Sequence, residues 1–322
     1  MKLIALGEIL IDFLQIQNEQ GLPTFVAQPG GAPANVICAA AKLGVDGAFI
    51  GKVGQDQFGQ QLIDTLKQHN VETKCIVKSE QYPTTLAFVH IDEDGDRSFS
   101  FYREGSADTK LAIENIDPLY FSECRLFHFG SNSFTSAESE AATKRAIELA
   151  KANGAIISFD PNVRVKLWHN SADIKPAIES VLPAVDILKV SQEELELLTG
   201  ADIDEGIVEL QTKYDLQLIV VTLGAKGLVY RMNGETVYIA GYHVVTIDTT
   251  GAGDSFVGAM LAKIMQAPKV LTELNREEIH QALIFANAAA ALSTTKNGGI
   301  PSLPTHEQVL DFLHRYKRPN HI

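Results

Sequence analysis

A glycine-rich run followed by an acidic residue lies in the last third of the chain. Residues 248–261 read DTTGAGDSFVGAML, and they place Gly251, Ala252 and Gly253 directly before apolar residues at helical spacing. Small residues at a helix N-terminus leave backbone N–H groups uncovered, and the positive end of the helix dipole favours an anion there. Asp254 stands in the first turn of this helix. A carboxylate beside an anion site suits phosphoryl transfer, in which a base meets a hydroxyl next to the incoming phosphate.

The same run allows a simpler interpretation, in which Asp254 caps a helix and the glycines form a tight loop. Two familiar nucleotide motifs are missing from the sequence. There is no G-x-x-x-x-G-K-[ST], and no glycine stands three residues after Gly253, so the dinucleotide pattern G-x-G-x-x-G is incomplete. A nicotinamide-dependent dehydrogenase is therefore disfavoured.

A second glycine-rich turn opens a predicted helix near the N-terminus. Residues 30–44 read GGAPANVICAAAKLG, and residues 49–54 read FIGKVG. The first segment resembles the N-terminal signature of PfkB-type (ribokinase-like) sugar kinases, and residues 248–261 resemble their C-terminal signature. Two long motifs in the right order are more specific than either alone, and the resemblance covers essentially the whole chain.

The composition limits the partners and the compartment. The chain of 322 residues carries 27 basic and 40 acidic side chains, a formal net charge of −13, which argues against nucleic acid or an anionic membrane surface as a partner. Its three cysteines have no metal-binding spacing and indicate a reducing compartment. No apolar run reaches the ~18 residues of a membrane span. Glu8 and Asp12 interrupt the N-terminal apolar stretch too early for a signal peptide. We expect a cytoplasmic protein that acts on small molecules.

Strand-like apolar runs alternate with amphipathic helical stretches, which predicts an α/β fold with a mostly parallel central sheet and helices on both faces. We expect one domain over residues 1–322. The predicted strands are 2–11, 48–53, 126–129, 155–159, 187–190 and 218–222, with a hairpin of 227–230 and 236–240 extending the sheet. The predicted helices are 33–43, 55–68, 136–153, 192–198, 253–265, 276–293 and 306–315.

Two segments break this alternation. Residues 84–90 and 97–103 flank the polar turn 92–96 and predict a β-hairpin, and residues 23–27 form another extended piece without an intervening helix. We expect them to build a small separate sheet, formed by about residues 12–34 and 84–106. In the family that the chain resembles, such a sheet is a lid over the sugar and often the dimer contact. The resemblance therefore implies a homodimer through the lid.

Several predicted sugar-binding residues follow from the topology and the resemblance. Ligands of open parallel sheets bind beyond the carboxyl ends of the strands, where Asp12, residues 30–35 and Asp254 could converge. The resemblance assigns sugar hydroxyls to Asp12, Gly30, Gly31 and Asn35. For Asp12 alone, a solvated strand end is the simpler interpretation.

Two further segments, FYREGSAD at 101–108 and DPNVR at 160–164, are similar to those of fructokinases in the family. There Tyr102, Arg103 and Arg164 would reach the sugar or the transferring phosphate, because a guanidinium can pair two phosphate oxygens. Taken singly, each arginine could instead be a surface ion-pair partner. His128 is interpreted as a buried core histidine.

The resemblance also places the nucleotide and the metal ions. Nucleotide contacts fall on Lys189, Ser191, Glu194, Thr222, Gly224, Gly227 and Asn287. Glu194 would orient hydrated Mg²⁺, although it could also be a first-turn helix acid, and Ser191 stands where many members have Asn. A carbonyl-rich loop for K⁺ maps onto Asp248, Thr250, Ser293, Lys296, Gly298 and Ser302.

These observations together predict an ATP-dependent sugar kinase, with Asp254 as the base and residues 251–254 as the anion site. Fructose, converted to fructose 6-phosphate, is favoured by the local similarity of 30–35, 101–105, 127–131 and 189–191 to fructokinases. The ribokinase pattern would place a Glu near Gly130 and Ser131, where none stands. Kinases of ribose, 2-keto-3-deoxygluconate or aminoimidazole riboside remain alternatives, as does a non-catalytic sugar-binding regulator on the same scaffold.

Overall fold

Fourteen strands and nine helices make up the regular structure of the described residues, which in the computed structural model are 1–17, 23–91, 97–269 and 271–316. The strands are β1 (Lys2–Leu6), β2 (Leu10–Gln17), β3 (Pro23–Gly30), β4 (Gly47–Gly54), β5 (Val71–Glu72), β6 (Ile76–Ser79), β7 (Leu86–Ile91), β8 (Arg97–Tyr102), β9 (Cys124–Gly130), β10 (Ile156–Asp160), β11 (Ile187–Ser191), β12 (Leu218–Thr222), β13 (Gly227–Met232) and β14 (Glu235–Ala240). The helices are α1 (Ala32–Lys42), α2 (Gln57–Gln68), α3 (Ala137–Ala152), α4 (Ile174–Glu179), α5 (Gln192–Thr199), α6 (Ile203–Tyr214), α7 (Ala252–Gln266), α8 (Arg276–Ser293) and α9 (His306–Arg315).

The central sheet has ten strands in the order β14-β13-β12-β11-β10-β9-β1-β4-β5, with β6 also paired to β4. Strands β12 through β5 along this order are parallel, and β6 pairs with β4 in parallel as well. The predicted hairpin of β13 and β14 adds the antiparallel end. The predicted fold class is therefore confirmed.

Helices cover both faces of this sheet because its inner strands are apolar on both sides. In β1, Leu3 and Ala5 belong to the core cluster that contains buried residues of α1, α2, α7, α8 and α9. Ile4 and Leu6 belong to the cluster on the other face, with α3, α4, α5 and α6. None of the helices in the described ranges is long and apolar enough to span a membrane.

The predicted first strand, 2–11, is wrong as a single element. Strand β1 ends at Leu6, and β2 begins at Leu10 in a different sheet. The apolar run hides this break because Ile9, Leu10 and Ile11 are as buried as β1 itself. As a consequence, Asp12 does not follow a central strand but lies within the second sheet.

That second sheet, which we call the lid, has four strands in the order β3-β2-β7-β8. Strand β2 pairs in parallel with β7 and antiparallel with β3, and β7 pairs antiparallel with β8. The separate small sheet predicted from the sequence is thus present, while the turn predicted at 92–96 lies outside the described residues. Phe13 stacks on Phe88 within the lid and meets Phe58 of α2 edge-on, with ring centroids 4.9 and 5.8 Å apart. These rings attach the lid to the main body.

His128 is the core histidine that the sequence suggested. Its side chain on β9 is buried, and Nδ1 lies 3.1 Å from Ser158 Oγ on the neighbouring strand. Burial lowers the pKa of His128 to about 3, so the ring is neutral. The cysteines Cys38, Cys75 and Cys124 are buried free thiols.

Candidate active site

The turn before α7 has the form of an anion site. Gly251 precedes the helix with φ of 74° and ψ of 6°, and no side chain caps the helix N-terminus. A left-handed residue at this point favours glycine, because a Cβ is disfavoured at this φ. A Cβ built on Gly251 would also lie 3.0 Å from Gly299 Cα. The Ala252 amide donates to the Thr249 carbonyl oxygen at 3.2 Å, and the amides of Gly253 and Asp254 are left for a ligand or solvent.

Asp254 lies in the first turn of α7 but does not cap it. Its Oδ2 accepts a hydrogen bond from Asn35 Nδ2 at 2.7 Å, and its Oδ1 accepts one from Asn162 Nδ2 at 3.2 Å. The two amides come from the start of α1 and from the loop after β10. They fix the carboxylate in one orientation, which the interpretation of Asp254 as a helix cap does not explain.

The pKa values of two carboxylates near this turn, Asp254 and Asp12, are both raised. Burial raises the pKa of Asp254 to about 6, against the hydrogen bond from Asn35 and despite the positive charges of Arg164 and Lys189. Burial also raises the pKa of Asp12 to about 7, where Arg164 acts in the opposite direction and Asp254 adds to the rise. A base whose pKa lies close to neutrality is well matched to proton transfer at physiological pH.

A cavity of about 350 Å³ lies between the lid and the start of α7. It is closed from the lid side by Leu10, Asp12 and Phe101, and the body contributes Asn35, Asp254 and Lys189. The other lining residues are Glu8, Gly31, Ala32, Arg103, Asn132, Asn162, Arg164, Leu167, Thr249, Thr250, Gly251 and Gly253. We call this space the polar cavity.

Of the predicted sugar-binding residues, Asp12, Gly31, Asn35, Arg164 and Asp254 line the polar cavity. Gly30 does not line the cavity itself, but it leaves space for the side chain of Asp12, because a Cβ at Gly30 would collide with Asp12 Oδ2. The structure thus brings together residues from β2, the start of α1, the loop after β10 and the start of α7.

The structure does not place Tyr102 at the cavity. Phe101 points into the polar cavity, so its neighbour on the same strand points to the opposite face of the lid. There the Tyr102 ring lies edge-on to Phe88, with centroids 5.4 Å apart, and is 67% exposed. The sugar contact predicted for Tyr102 is not formed in this arrangement.

Arg103 reaches the cavity wall, but its guanidinium is already engaged. Nε donates to Asp108 Oδ2 at 2.7 Å, Nη2 donates to the carbonyl oxygen of Asn132 at 2.9 Å, and Nη1 donates to Thr135 Oγ1. The side chains of Arg103 and Asp108 are both buried. Arg103 thus bridges the lid and the body at the wall of the polar cavity, and its contact with sugar or phosphate stays a prediction.

A buried ion pair lies at the carboxyl ends of β10 and β11. Lys189 Nζ is 3.1 and 3.2 Å from the two oxygens of Asp160. Burial alone would lower the pKa of Lys189, but the charges of Asp160 and Glu194 outweigh it and raise the pKa, so the ammonium is retained. A Cβ built on Gly253 would lie 3.5 Å from Lys189 Nζ, which puts this positive charge beside the anion-binding turn.

Ser191 and Glu194 form a capping box at the start of α5. Glu194 accepts hydrogen bonds from the amides of Val163 and Ser191, both at 2.7 Å. Within the described residues, neither Ser191 nor Glu194 lines the polar cavity, and neither lines the second cavity, which is described in the next paragraph. Glu194 instead fixes the loop that carries Asn162 and Arg164.

A second cavity of about 300 Å³ lies on the other side of the turn. We call it the outer cavity, and its lining includes the predicted nucleotide residues Thr222, Gly224, Gly227 and Asn287. Asn287 Nδ2 donates to the carbonyl oxygen of Ala240 at 2.9 Å. Thr249 and Gly253 line both cavities, so the turn before α7 is their common wall.

The loops predicted to hold a monovalent cation meet at Asp248. Its Oδ1 accepts from the Thr250 amide at 2.6 Å, and its Oδ2 accepts from the Gly298 amide at 2.8 Å. Ser293 ends α8, and Lys296 and Ser302 lie along the loop that follows it, with Ser302 Oγ donating to the carbonyl oxygen of Gly299 at 2.8 Å. Asp248 therefore clamps two loops together beside the turn.

Sequence reasoning missed Glu8, Asn132 and Asn162 as lining residues of the polar cavity. For Asn162 a signal was present in the sequence, because it stands in the DPNVR segment after a predicted strand. Asn is also one of the residues that tolerate a positive φ, which is 44° at this position. Glu8 was visible as an acid inside an apolar run, where a buried charge calls for partners.

Comparisons with known proteins agree with this geometry. The model of the pfkB family carbohydrate kinases matches residues 1–306. Fructokinase-1 of Oryza sativa subsp. japonica is 40% identical over 314 residues, covering 96% of this chain and 97% of that protein. The chain therefore belongs to the pfkB family of carbohydrate kinases, and the predicted family is confirmed.

Two solved structures are similar over nearly the whole chain. A fructokinase from Xylella fastidiosa with bound ATP has a TM-score of 0.91 at 34% identity, covering 97% of this chain and 98% of that one. A double mutant of a fructokinase from Vibrio cholerae O395, in the form with fructose, ADP and potassium ion bound, has a TM-score of 0.88 at 33% identity, with coverages of 97% and 98%.

Proposed function

We propose that this protein phosphorylates fructose with ATP to give fructose 6-phosphate. The observation that carries the proposal is the position of the turn before α7. It separates two cavities, and the oriented carboxylate of Asp254 lines the polar one. Fructose is chosen because relatives that are about 40% identical over nearly the full length are fructokinases, such as those of Oryza sativa subsp. japonica and Solanum lycopersicum.

In this mechanism the sugar occupies the polar cavity with its reacting hydroxyl against Asp254. The carboxylate takes the hydroxyl proton as the sugar oxygen attacks the γ-phosphorus in line. The bond from the γ-phosphorus to the oxygen that bridges it to the β-phosphate breaks, ADP leaves, and the proton ends on Asp254. Asn35 and Asn162 keep the carboxylate in place for this step. Asp12 accepts hydrogen bonds from other sugar hydroxyls, and Gly30 leaves space for its carboxylate.

The nucleotide occupies the outer cavity, with its phosphates directed toward the turn. The amides of residues 251, 253 and 254 then face the transferring phosphoryl group, while the Ala252 amide binds the Thr249 carbonyl oxygen. Lys189 and Arg164 supply positive charge on the polar side. Such preorganised donors stabilise the charge that develops during transfer.

The residues present fit a Mg²⁺ ion that is held mainly by the nucleotide. Glu194 already accepts two backbone amides, and the described residues contain no group of three or more His, Cys, Asp or Glu side chains that could hold a metal ion. Mg²⁺ commonly binds through phosphates and water with few protein ligands, and there it would neutralise phosphate charge. For K⁺, the loops clamped by Asp248 would supply carbonyl oxygens.

One experiment tests the reaction and the substrate together. ADP release is measured for the wild type and for Asp254→Asn across fructose, ribose, 2-keto-3-deoxygluconate and aminoimidazole riboside. We expect fructose to give the highest kcat/KM, and kcat of the variant to fall by at least ~10²-fold with little change in ATP affinity. Equal turnover by the folded variant would remove Asp254 from the mechanism. No turnover of any sugar by the wild type, with sugar binding retained, would indicate a non-catalytic regulator.

We also propose a homodimer formed through the lid. On the face away from the polar cavity, the lid exposes Tyr102, which is 67% accessible. Light scattering on the purified protein should give twice the chain mass, and Tyr102→Glu should shift it toward the monomer. A wild type that is monomeric at all concentrations would contradict this assembly.

A further inference from the structure

Three hydrogen-bond acceptors in the wall of the polar cavity have no partner. They are Glu8 Oε2, Asn35 Oδ1 and Asn132 Oδ1. Their residues are 4%, 5% and 6% exposed, so bulk water does not replace the missing donors. A buried acceptor without a donor is unfavourable, and three such atoms around one cavity call for an explanation from the ligand.

Glu8 is held in a fixed orientation by its other oxygen. Oε1 accepts from the Ala32 amide at 3.1 Å and from Asn132 Nδ2 at 3.0 Å. The first donor belongs to the start of α1, and the second to the turn after β9. Because both donors bind the same oxygen, Oε2 is left for a third group.

The nearest positive charge cannot satisfy this oxygen directly. Burial raises the pKa of Glu8, and the charge of Arg103 acts in the opposite direction, but the Arg103 nitrogens donate to Asp108, Thr135 and the Asn132 carbonyl. The unpartnered atoms are all acceptors, so a matching ligand must present donors. A neutral molecule with several hydroxyl groups has this property, whereas a phosphate does not.

The unpartnered atoms divide into two groups in relation to the reacting carboxylate. Asn35 binds Asp254 through Nδ2, so its orphan Oδ1 belongs to the reactive end of the cavity. Glu8 and Asn132 are bonded to each other, and no hydrogen bond links either of them to Asp254 among the bonds of the described residues. Glu8 is therefore suited to a hydroxyl other than the one that is phosphorylated.

We propose that Glu8 is a specificity-determining residue, whose Oε2 accepts a hydrogen bond from a non-reacting hydroxyl of the sugar, with Asn132 orienting the carboxylate. The inference rests on the proposed sugar kinase activity. A site built to bind a hydroxyl discriminates strongly against an analogue that lacks it, because the buried acceptor is then left unpaired.

The test combines Glu8→Gln with fructose analogues that each lack one hydroxyl. With fructose, we expect kcat/KM of the variant to fall by about 10- to 100-fold through KM for the sugar, with KM for ATP unchanged. With the analogue that lacks the hydroxyl bound by Glu8, variant and wild type should have nearly equal kcat/KM. All other analogues should keep the difference seen with fructose.

Asp186→Asn is the matched control. Asp186 Oδ2 accepts from a backbone amide, that of Ile157, at 2.8 Å, and Oδ1 accepts from the Gln217 carboxamide at 2.9 Å. This donor set resembles that of Glu8, but Asp186 lies directly before β11, at the amino end of the strand, and does not line the polar cavity. Its replacement should leave KM for fructose and the analogue pattern unchanged.

The outcomes separate the two proposals. If Glu8→Gln lowers kcat/KM equally for fructose and for every analogue, the role of Glu8 in specificity is overturned. Glu8 would then only hold the start of α1 in place through the Ala32 amide. Failure of the wild type to phosphorylate fructose would instead contradict the proposed function.

If Glu8→Gln does not fold, Asn132→Ala keeps the carboxylate and its bond to Ala32. It should raise KM for the sugar and weaken discrimination at the same hydroxyl, and unchanged discrimination in that variant would also overturn the proposal.

Discussion

Asn35 Nδ2 donates to Asp254 Oδ2 at 2.7 Å, although 219 positions separate the two residues in the sequence. The contact exists because α1 and α7 pack closely side by side. A Cβ built on Gly258 of α7 would lie 2.5 Å from Ala39 Cβ and 2.6 Å from the Val36 carbonyl oxygen of α1. A residue with no side chain at 258 thus lets the two helix N-termini meet at the reacting carboxylate.

Gly258→Ala should therefore impair catalysis as well as stability. The added methyl has no space against the α1 backbone, so the two helices must move apart, and overpacking of this kind destabilises by ~1–3 kcal/mol. We expect a lower midpoint of thermal unfolding and a fall in kcat at temperatures where the variant is still folded. Normal kcat with reduced stability would show that the Asn35–Asp254 contact survives the shift.

Asn162 should matter for its amide and for its backbone conformation separately. Asn162→Gly keeps a residue that tolerates the φ of 44° but removes the donor to Asp254 Oδ1. Asn162→Ala removes the same donor and adds backbone strain. We expect both variants to lose kcat to a similar degree, with Asn162→Ala less stable in chemical denaturation. Unchanged kcat in Asn162→Gly would mean that Asn35 alone orients the carboxylate.

The acidic side of the pH–rate profile should report the two carboxylates of the polar cavity. Asp254 must be ionised to accept a proton, and its pKa of about 6 and that of Asp12 of about 7 are both raised. Activity is therefore present above about pH 7 and is lost as the pH falls through 7 and 6. We expect kcat/KM for the sugar to follow two overlapping ionisations, which belong to the pair rather than to either residue.

Asp12→Asn supplies the control for that profile. It removes the group with the higher pKa, so the remaining acidic limb should follow Asp254 and lie near pH 6. KM for the sugar should rise, because an acceptor for its hydroxyls is lost. A limb that stays near pH 7 in the variant would assign the upper ionisation to another group.

The sequence was sufficient to predict the two glycine-rich turns and the convergence of Asp12, Asn35 and Asp254. The turns follow from a local rule, namely glycine before a helix. Asp12 was expected beyond a central strand and instead reaches the cavity from β2 of the lid. The lid was predicted because its extended segments break the alternation of strands and helices.

The orientation and the hydrogen-bond partners of individual side chains could not be predicted from the sequence. Tyr102 and Phe101 are adjacent in a motif, but only the side chain on the inner face of β8 reaches the cavity, and the strand register decides which one it is. Arg103 suits phosphate binding by its chemistry, yet Asp108 and the turn at Asn132 bind it first. Such competition depends on tertiary contacts that a motif does not record.

Arg103 and Asp108 join the two chain ends of the lid hairpin to the body. Breaking this pair should therefore lower the free energy of unfolding. Asp108 Oδ2 binds Arg103, which follows β8, and Oδ1 binds Thr85, which precedes β7. Arg103→Ala leaves the Asp108 charge buried without its partner, and we expect the free energy of unfolding to fall by ~3–5 kcal/mol. Urea denaturation of the wild type and the variant measures this loss.

Asp108→Asn in the Arg103→Ala background separates a structural role from a phosphate contact. Neutralising Asp108 removes the unpaired charge, so the double variant should recover part of the lost stability. KM for the sugar should be highest in Arg103→Ala, because the lid that carries Asp12 and Phe101 is loosened there. In the double variant it should return part of the way to the wild-type value. If Arg103 instead contacts the transferring phosphate, kcat will stay low in the double variant however much stability returns.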